Sequence, residues 1–246
     1  MQRRPGIAWS FAPYVLASVI HVAANALHSP WAVPTKALLM PLLALPVLLS
    51  LKRPTGPTTT AAARPPLPAL LLVALAFSWL GDEAGLFFPF APELPLMLGF
   101  FGIAHLAYIA LFLLRLKVRR LPLWTVAYAA WWVAMILVLG PHTGSLLAAV
   151  GAYGVVLAGT AATSARCGAV VAWGGAFFLC SDSILAFRLF LAEAMPDWTG
   201  PAVMVTYTLG QGLIVAGAVR ALRSAGVLTP GSAGRGQRTD EFRDVA

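Results

Sequence analysis

The stretch Leu67-Pro-Ala-Leu-Leu-Leu-Val-Ala-Leu-Ala-Phe-Ser-Trp-Leu-Gly-Asp82-Glu-Ala-Gly-Leu-Phe-Phe88 is apolar apart from Ser78, Asp82 and Glu83. A helix rising 1.5 Å per residue needs about 20 such residues to cross roughly 30 Å of hydrocarbon. The stretch therefore reads as a transmembrane helix with a carboxylate inside it. Even on lenient insertion scales such a group costs roughly 2.5 to 3.5 kcal/mol, so it is expected to face a bundle interior or a wet cavity and to mark function. A second acid, Asp182 in Phe177-Phe-Leu-Cys-Ser-Asp182-Ser-Ile-Leu-Ala-Phe187, lies one hundred positions further on in a matching context.

The rest of the chain has the same character. Of its 246 residues 59% are hydrophobic and 11% charged, with a mean hydropathy of +0.81. That composition excludes a soluble domain. Apolar stretches near 7–27, 31–50, 67–88, 95–114, 122–140, 144–163, 167–189 and 201–220 predict an all-α, polytopic helical bundle with eight transmembrane helices. Residues 1–228 form one transmembrane domain in this reading, with a Pro/Thr-rich cytoplasmic loop over 52–66. The tail 229–246, rich in Gly and charge, is expected to be disordered and cytoplasmic. The hundred-residue offset puts Asp82 on the third helix and Asp182 on the seventh, both running the same way, which suggests a four-plus-four parallel repeat.

The net charge of +8 is a topology signal. Arg3 and Arg4 precede the first helix, and Lys52, Arg53 and Arg64 lie in the second connection. Arg115, Lys117, Arg119 and Arg120 lie in the fourth, Arg166 in the sixth, and a further group in the tail. The odd connections carry almost none. The positive-inside rule then places both termini in the cytoplasm of a multi-pass protein, with the plasma membrane as its expected location. Nucleic acid is not an expected partner; anionic membrane lipid is. Arg3 and Arg4 before an apolar run ending Ala24-Asn25-Ala26 have the outline of a cleavable signal. The length of the run and the polar His21 and Asn25 near its end favour a retained first helix. Cys167 and Cys180 fall on the seventh stretch at a spacing too long for a metal pair, so they read as packing residues. Neither a metal nor a cofactor is expected.

Depth along each helix brings the polar residues together. Counting at 1.5 Å per residue, Asp82 and Asp182 come about fifteen residues into outward-running helices and Lys36 about five into an inward-running one. All three reach one level in the outer half of the bilayer. His105 lies near the midplane on the fourth helix, and Tyr207 and Gln211 on the eighth reach the same layer. Ser78 with Asp82, His105 with Tyr108, and Tyr207 with Gln211 are i,i+3 or i,i+4 pairs, each expected to line one wall of a cavity. Glu83 is expected at the outer mouth, and Arg188 at the interface.

The chain has no G-x-S-x-G elbow, H-E-x-x-H pair, P-loop or dinucleotide fingerprint. Two carboxylates with a cation nearby instead fit general acid and base chemistry. A proton- or ion-coupled transporter using the same Asp/Lys site is the alternative, and the repeat would suit it. Gly81-Asp82 fits an intramembrane aspartyl protease poorly, since Trp79 stands where that motif has glycine.

Thr35-Lys-Ala-Leu-Leu-Met-Pro41, Leu80-Gly-Asp82, Phe100-Phe-Gly-Ile-Ala-His-Leu-Ala-Tyr108 and Gly175-Ala-Phe-Phe-Leu-Cys-Ser-Asp182 occur in the order and spacing of one family. Through them the chain resembles the YhhN family, which includes the lysoplasmalogenases, over about residues 14 to 220. The resemblance implies an eight-helix membrane enzyme that hydrolyses the vinyl ether bond of lysoplasmalogen to a fatty aldehyde and glycerophosphocholine or glycerophosphoethanolamine. Its polar motif residues correspond to Lys36, Asp82, His105, Tyr108, Ser181 and Asp182. The expected site is thus Asp82 and Asp182 as catalytic carboxylates, with Lys36, His105, Tyr108, Ser181, Tyr207 and Gln211 binding the lysophospholipid.

Overall fold

The structure, a computed structural model, describes residues 7–51 and 66–227; most of the expected loop 52–66 and the tail 229–246 lie outside them. The described residues form helices joined by short connections, without strands. The main helices are α1 (Ala12–Ala26), α2 (Ala32–Leu51), α3 (Leu67–Asp82), α4 (Glu93–Leu111), α5 (Val126–Leu139), α6 (Leu147–Ser164), α7 (Ala169–Phe190) and α8 (Thr199–Val227). Single turns Ile7–Ser10 and Ala84–Phe87 flank α1 and α3, and a π-helical turn, Phe112–Leu116, ends α4. Among the described residues six helices are long and apolar enough to cross a membrane; α1 and α3, of 15 and 16 residues, are shorter apolar helices. The protein is a multi-pass membrane protein.

Prolines shape these helices. Pro13 and Pro68 stand in first turns, where a missing N–H costs nothing. Pro41 and Pro46 lie inside α2. Pro41 cannot donate to the carbonyl of Ala37 one turn earlier, and in an apolar medium that carbonyl needs another partner. The indole N–H of Trp79 on α3 supplies it at 2.9 Å, which ties α2 to α3.

Helices α1, α2, α3, α4, α6, α7 and α8 follow one another as packed neighbours, and α8 closes the ring onto α1. Helix α5 stays outside, packed on α6, with Leu139 as its one fully buried residue. Helix α8 touches α1, α2, α3 and α7 and is the most enclosed. The α7–α8 pair is close because glycines face each other: a Cβ on Gly210 would come within 2.8 Å of the Phe178 backbone nitrogen, and one on Gly174 within 2.9 Å of that of Ile214. Small residues at such crossings let packing replace the hydrophobic drive that lipid removes. Gly168, at φ 95°, makes the left-handed turn between α6 and α7. Arg119 and Arg166 tie that turn to the α4–α5 connection through backbone carbonyls, Arg119 Nε donating to Ala165 O at 2.8 Å and Arg166 Nε to Arg119 O at 3.1 Å.

Candidate active site

Asp82 is the last residue of α3, and the helix ends there by changing partners. The N–H of Leu86, which would continue the ladder to Asp82, bonds Glu83 O at 3.0 Å instead. The carbonyl of Asp82 is left free, and Lys36 Nζ from α2 donates to it at 2.6 Å. The carboxylate turns inward, where the Tyr207 hydroxyl on α8 donates to Oδ2 at 2.6 Å. One turn along α8, Gln211 Nε2 donates to Ser78 Oγ at 3.1 Å and to the Tyr207 hydroxyl at 3.4 Å, while its Oε1 accepts from the Tyr108 hydroxyl. Ser78, Tyr108, Tyr207 and Gln211 are all buried. Four helices thus converge on Asp82.

Asp182 lies within α7, and its Oδ2 accepts from the Tyr153 hydroxyl on α6. Nε2 of His105, on α4, stands 3.2 Å from the same hydroxyl and 3.7 Å from Asp182 Oδ2. The other ring nitrogen, Nδ1, meets Thr160 Oγ1 at 3.1 Å. His105 and Thr160 are fully buried, whereas Tyr153 is partly open.

An aromatic wall joins the two clusters. The ring of Phe178, one turn before Asp182, lies 4.8 Å from that of His105 and 5.5 Å from that of Tyr207. Phe101 stands 6.1 Å from Tyr207 and 6.4 Å from Phe178 and packs against Gly81, where a Cβ would meet its ring at 2.6 Å. On the other side Phe101, Tyr153 and Asp182 border a pocket between α4, α6 and α7. The rest of its lining is aliphatic or aromatic, including Met97, Leu98, Leu185 and Ala186. One carboxylate therefore sits at the polar end of an apolar pocket, the form in which small-ligand sites usually occur.

Of the expected site residues, the structure groups Asp82 with Lys36, Tyr108, Tyr207 and Gln211, and Asp182 with His105. Three expectations change. Ser181 turns its hydroxyl to Val203 O on α8 at 3.0 Å, so it joins two helices instead of lining the cavity. His105 and Tyr108 do not share a wall: one serves Asp182 and the other Gln211. Glu83, expected at the mouth, is 4% exposed with Oε1 unpartnered, because the helix stops at Asp82 and folds its neighbour back. Lys36 meets the Asp82 carbonyl. Tyr153 and Thr160 were missed by the motifs and the depth argument alike.

No metal cluster of His, Cys, Asp or Glu occurs among the described residues. No curated protein and no solved structure matches the chain. The YhhN family does, over residues 31–218, a span that includes Lys36, both carboxylates and the residues that hold them, and the chain belongs to that family.

Proposed function

We propose that this protein is a lysoplasmalogenase-type hydrolase that cleaves the vinyl ether bond of a lysophospholipid by acid–base catalysis between Asp82 and Asp182. The observation that carries this reading is the pair of inward-facing carboxylates, each receiving a tyrosine hydroxyl, with one of them at the polar end of an apolar pocket. The pocket receives the alkenyl chain and brings the ether to Asp182. Lys36, beside Asp82, supplies the positive charge for the phosphate. One carboxyl protonates the vinyl β-carbon, the other takes a proton from the attacking water, and the hemiacetal collapses to aldehyde and glycerophospho-alcohol. The family's membership supports a hydrolase of this kind.

In the same reading all eight helices cross the membrane, α1 and α3 being completed by their flanking turns. The termini and the Arg119–Arg166 loops face the cytoplasm, the pocket opens to the outer half of the plasma membrane, and α3 and α7 are equivalent helices of a four-plus-four repeat. Membrane lipid surrounds the bundle, and the lysophospholipid is its partner.

The test is aldehyde release from choline and ethanolamine lysoplasmalogens by the purified protein in detergent, beside Asp82→Asn and Asp182→Asn. Turnover in the wild type and its loss from both folded variants are expected. Substantial activity in both variants sinks the scheme, and Asp-dependent, gradient-driven flux in liposomes without chemical change replaces it with the transporter.

A further inference from the structure

The two carboxylates differ in how many hydrogens surround them. At Asp82 the set closes on an ionised group. Both amide hydrogens of Gln211 are used, toward Ser78 at 3.1 Å and the Tyr207 oxygen at 3.4 Å, and the one hydroxyl hydrogen of Tyr207 goes to Asp82 Oδ2 at 2.6 Å in preference to the Met40 sulfur at 3.8 Å, a weak acceptor that needs no donor. The Tyr207 hydroxyl is the donor that reaches the carboxylate, and the Gln211 amide holds the Tyr207 oxygen from behind. The Lys36 ammonium, on the carbonyl of the same residue at 2.6 Å, adds positive charge beside it.

At Asp182 the same count comes out one hydrogen short. Thr160 has a single hydroxyl hydrogen, and its nearest acceptor is Val156 O at 2.9 Å, the back-bond to residue i−4 that helical threonines make. Thr160 Oγ1 is then free to accept from His105 Nδ1–H at 3.1 Å. With its hydrogen on Nδ1, a neutral His105 presents a bare Nε2 to the Tyr153 oxygen at 3.2 Å and to Asp182 Oδ2 at 3.7 Å. Tyr153 has one hydrogen for two acceptors. One additional proton satisfies both contacts. Placed on Asp182, it is donated to the tyrosine oxygen, the tyrosine hydrogen goes to Nε2, and no group in the chain is charged. Placed on His105, it leaves opposite charges beside the ring of Phe178, which lies 4.8 Å from the imidazole. Separated charges in apolar surroundings cost more than a neutral chain of the same length.

We propose that Asp182 is the general acid, holding a proton that Tyr153 shares with His105, and that Asp82 is the general base. The catalytic half of this assignment rests on the vinyl ether reading above. The Asp182 proton forms the new C–H bond with the vinyl π pair, leaving an oxocarbenium ion and an Asp182 carboxylate. Water adds to that ion and gives a proton to Asp82. The hemiacetal hydroxyl then returns a proton to Asp182, and Asp82 protonates the departing ether oxygen, so aldehyde and alcohol leave with both carboxyls restored. Tyr153 is a positioning residue for this cycle: its hydroxyl bridges the acid to His105.

Infrared spectroscopy of the purified full chain in detergent, with carbon-13 in the aspartate carboxyls, reads the proton without substrate. A protonated-carboxyl band that shifts with the label is expected in the wild type and in Asp82→Asn, and is expected to vanish in Asp182→Asn. Tyr153→Phe is expected to keep the band and move its frequency, and to lower turnover more than tenfold with little change in KM. No labelled band in the wild type, or a band that vanishes in Asp82→Asn, overturns the assignment. Should Asp182→Asn fail to fold, a band that Tyr153→Phe leaves unmoved overturns it equally. Absent aldehyde release with the band in place removes the vinyl ether reading alone.

Discussion

Asp82 ends a helix and Asp182 lies within one, and that difference governs what else each can bind. The end of α3 gives Asp82 two groups to offer, a carboxylate for Tyr207 and a free carbonyl for Lys36. Asp182, in an unbroken ladder, offers its carboxyl alone, and Tyr153 and His105 gather on one oxygen. The Asp82 surroundings are amide and hydroxyl groups with the Lys36 ammonium on the carbonyl of the same residue. Those of Asp182 contain an imidazole, and they border a pocket. The same residue type, each beside a tyrosine hydroxyl, thus stands in two different settings, the kind of difference that the proposed acid and base roles call for.

The largest expected effect tests whether the two halves act as one device. Asp82→Asn and Asp182→Asn should each lower turnover by roughly 10²- to 10⁴-fold, the range of a lost general acid or base. Combining them should cost little more than the worse single change, because groups that act in one cycle are strongly non-additive. A double variant whose loss equals the product of the two singles would mean that the carboxylates work independently.

Next come the tyrosines, where the halves should part company. A misplaced catalytic proton forfeits part of the roughly 10²- to 10⁴-fold that general acid–base catalysis supplies, whereas one lost donor to a carboxylate that keeps a cation nearby costs about 1.5 kcal/mol. Tyr153→Phe removes the proton-sharing bridge and should lower kcat by about 10- to 100-fold. Tyr207→Phe removes one donor from a carboxylate that Lys36 still supports, and its loss should stay within about tenfold. Steady-state kcat and KM of the two variants decide the order, and the reverse order would exchange the roles of the carboxylates.

How far the sequence showed this arrangement depends on the kind of residue. The helices were legible because about 20 apolar residues in a row have one physical outcome in lipid, and all eight stretches carry a helix. The two Asp residues and Lys36 were legible because a charge at membrane depth is costly enough to need a reason. Tyr153 carries no such cost, and α6, rich in Gly and Ala around it, reads as a packing helix. The depth count that found Asp182 would have found it, since it lies about nine residues into a stretch expected to run inward and shares a face with Thr160 two turns on. The pairing of His105 with Tyr108 misled for a geometric reason. Three residues are about 60° short of a full turn, and α4 has α6 on one side and α3 on the other, so that angle separates one cluster from the other. Glu83 misled because the 100° step assumes a helix that continues, and this one stops.

A smaller effect probes what both halves share. Gly210 lets α8 approach α7 so closely that an added Cβ would stand 2.8 Å from the Phe178 backbone nitrogen. Gly210→Ala should push the helices apart at the residue whose ring touches both His105 and Tyr207, at a cost of about 1 to 3 kcal/mol. Thermal unfolding in detergent should show the lower stability. Turnover should fall as well, since a partner of each carboxylate packs on that ring. A variant of unchanged stability would show that the wall between the halves is softer than its packing implies.

The smallest change separates the halves by their access to the chain of the lipid. Ala186 lines the pocket on the Asp182 side, one turn beyond the carboxylate on α7, and is absent from the Asp82 cluster. Ala186→Trp fills space that the alkenyl chain is proposed to occupy and leaves the polar contacts of Tyr153 and His105 in place. Displacing about two methylenes from the pocket, at about 0.8 kcal/mol each, predicts a KM about tenfold higher for long-chain substrates. A short-chain analogue that never reaches Ala186 should keep its KM, and kcat should hold for both. Equal effects on the two lengths would mean that the chain enters elsewhere, and the pocket would lose its part in distinguishing Asp182 from Asp82.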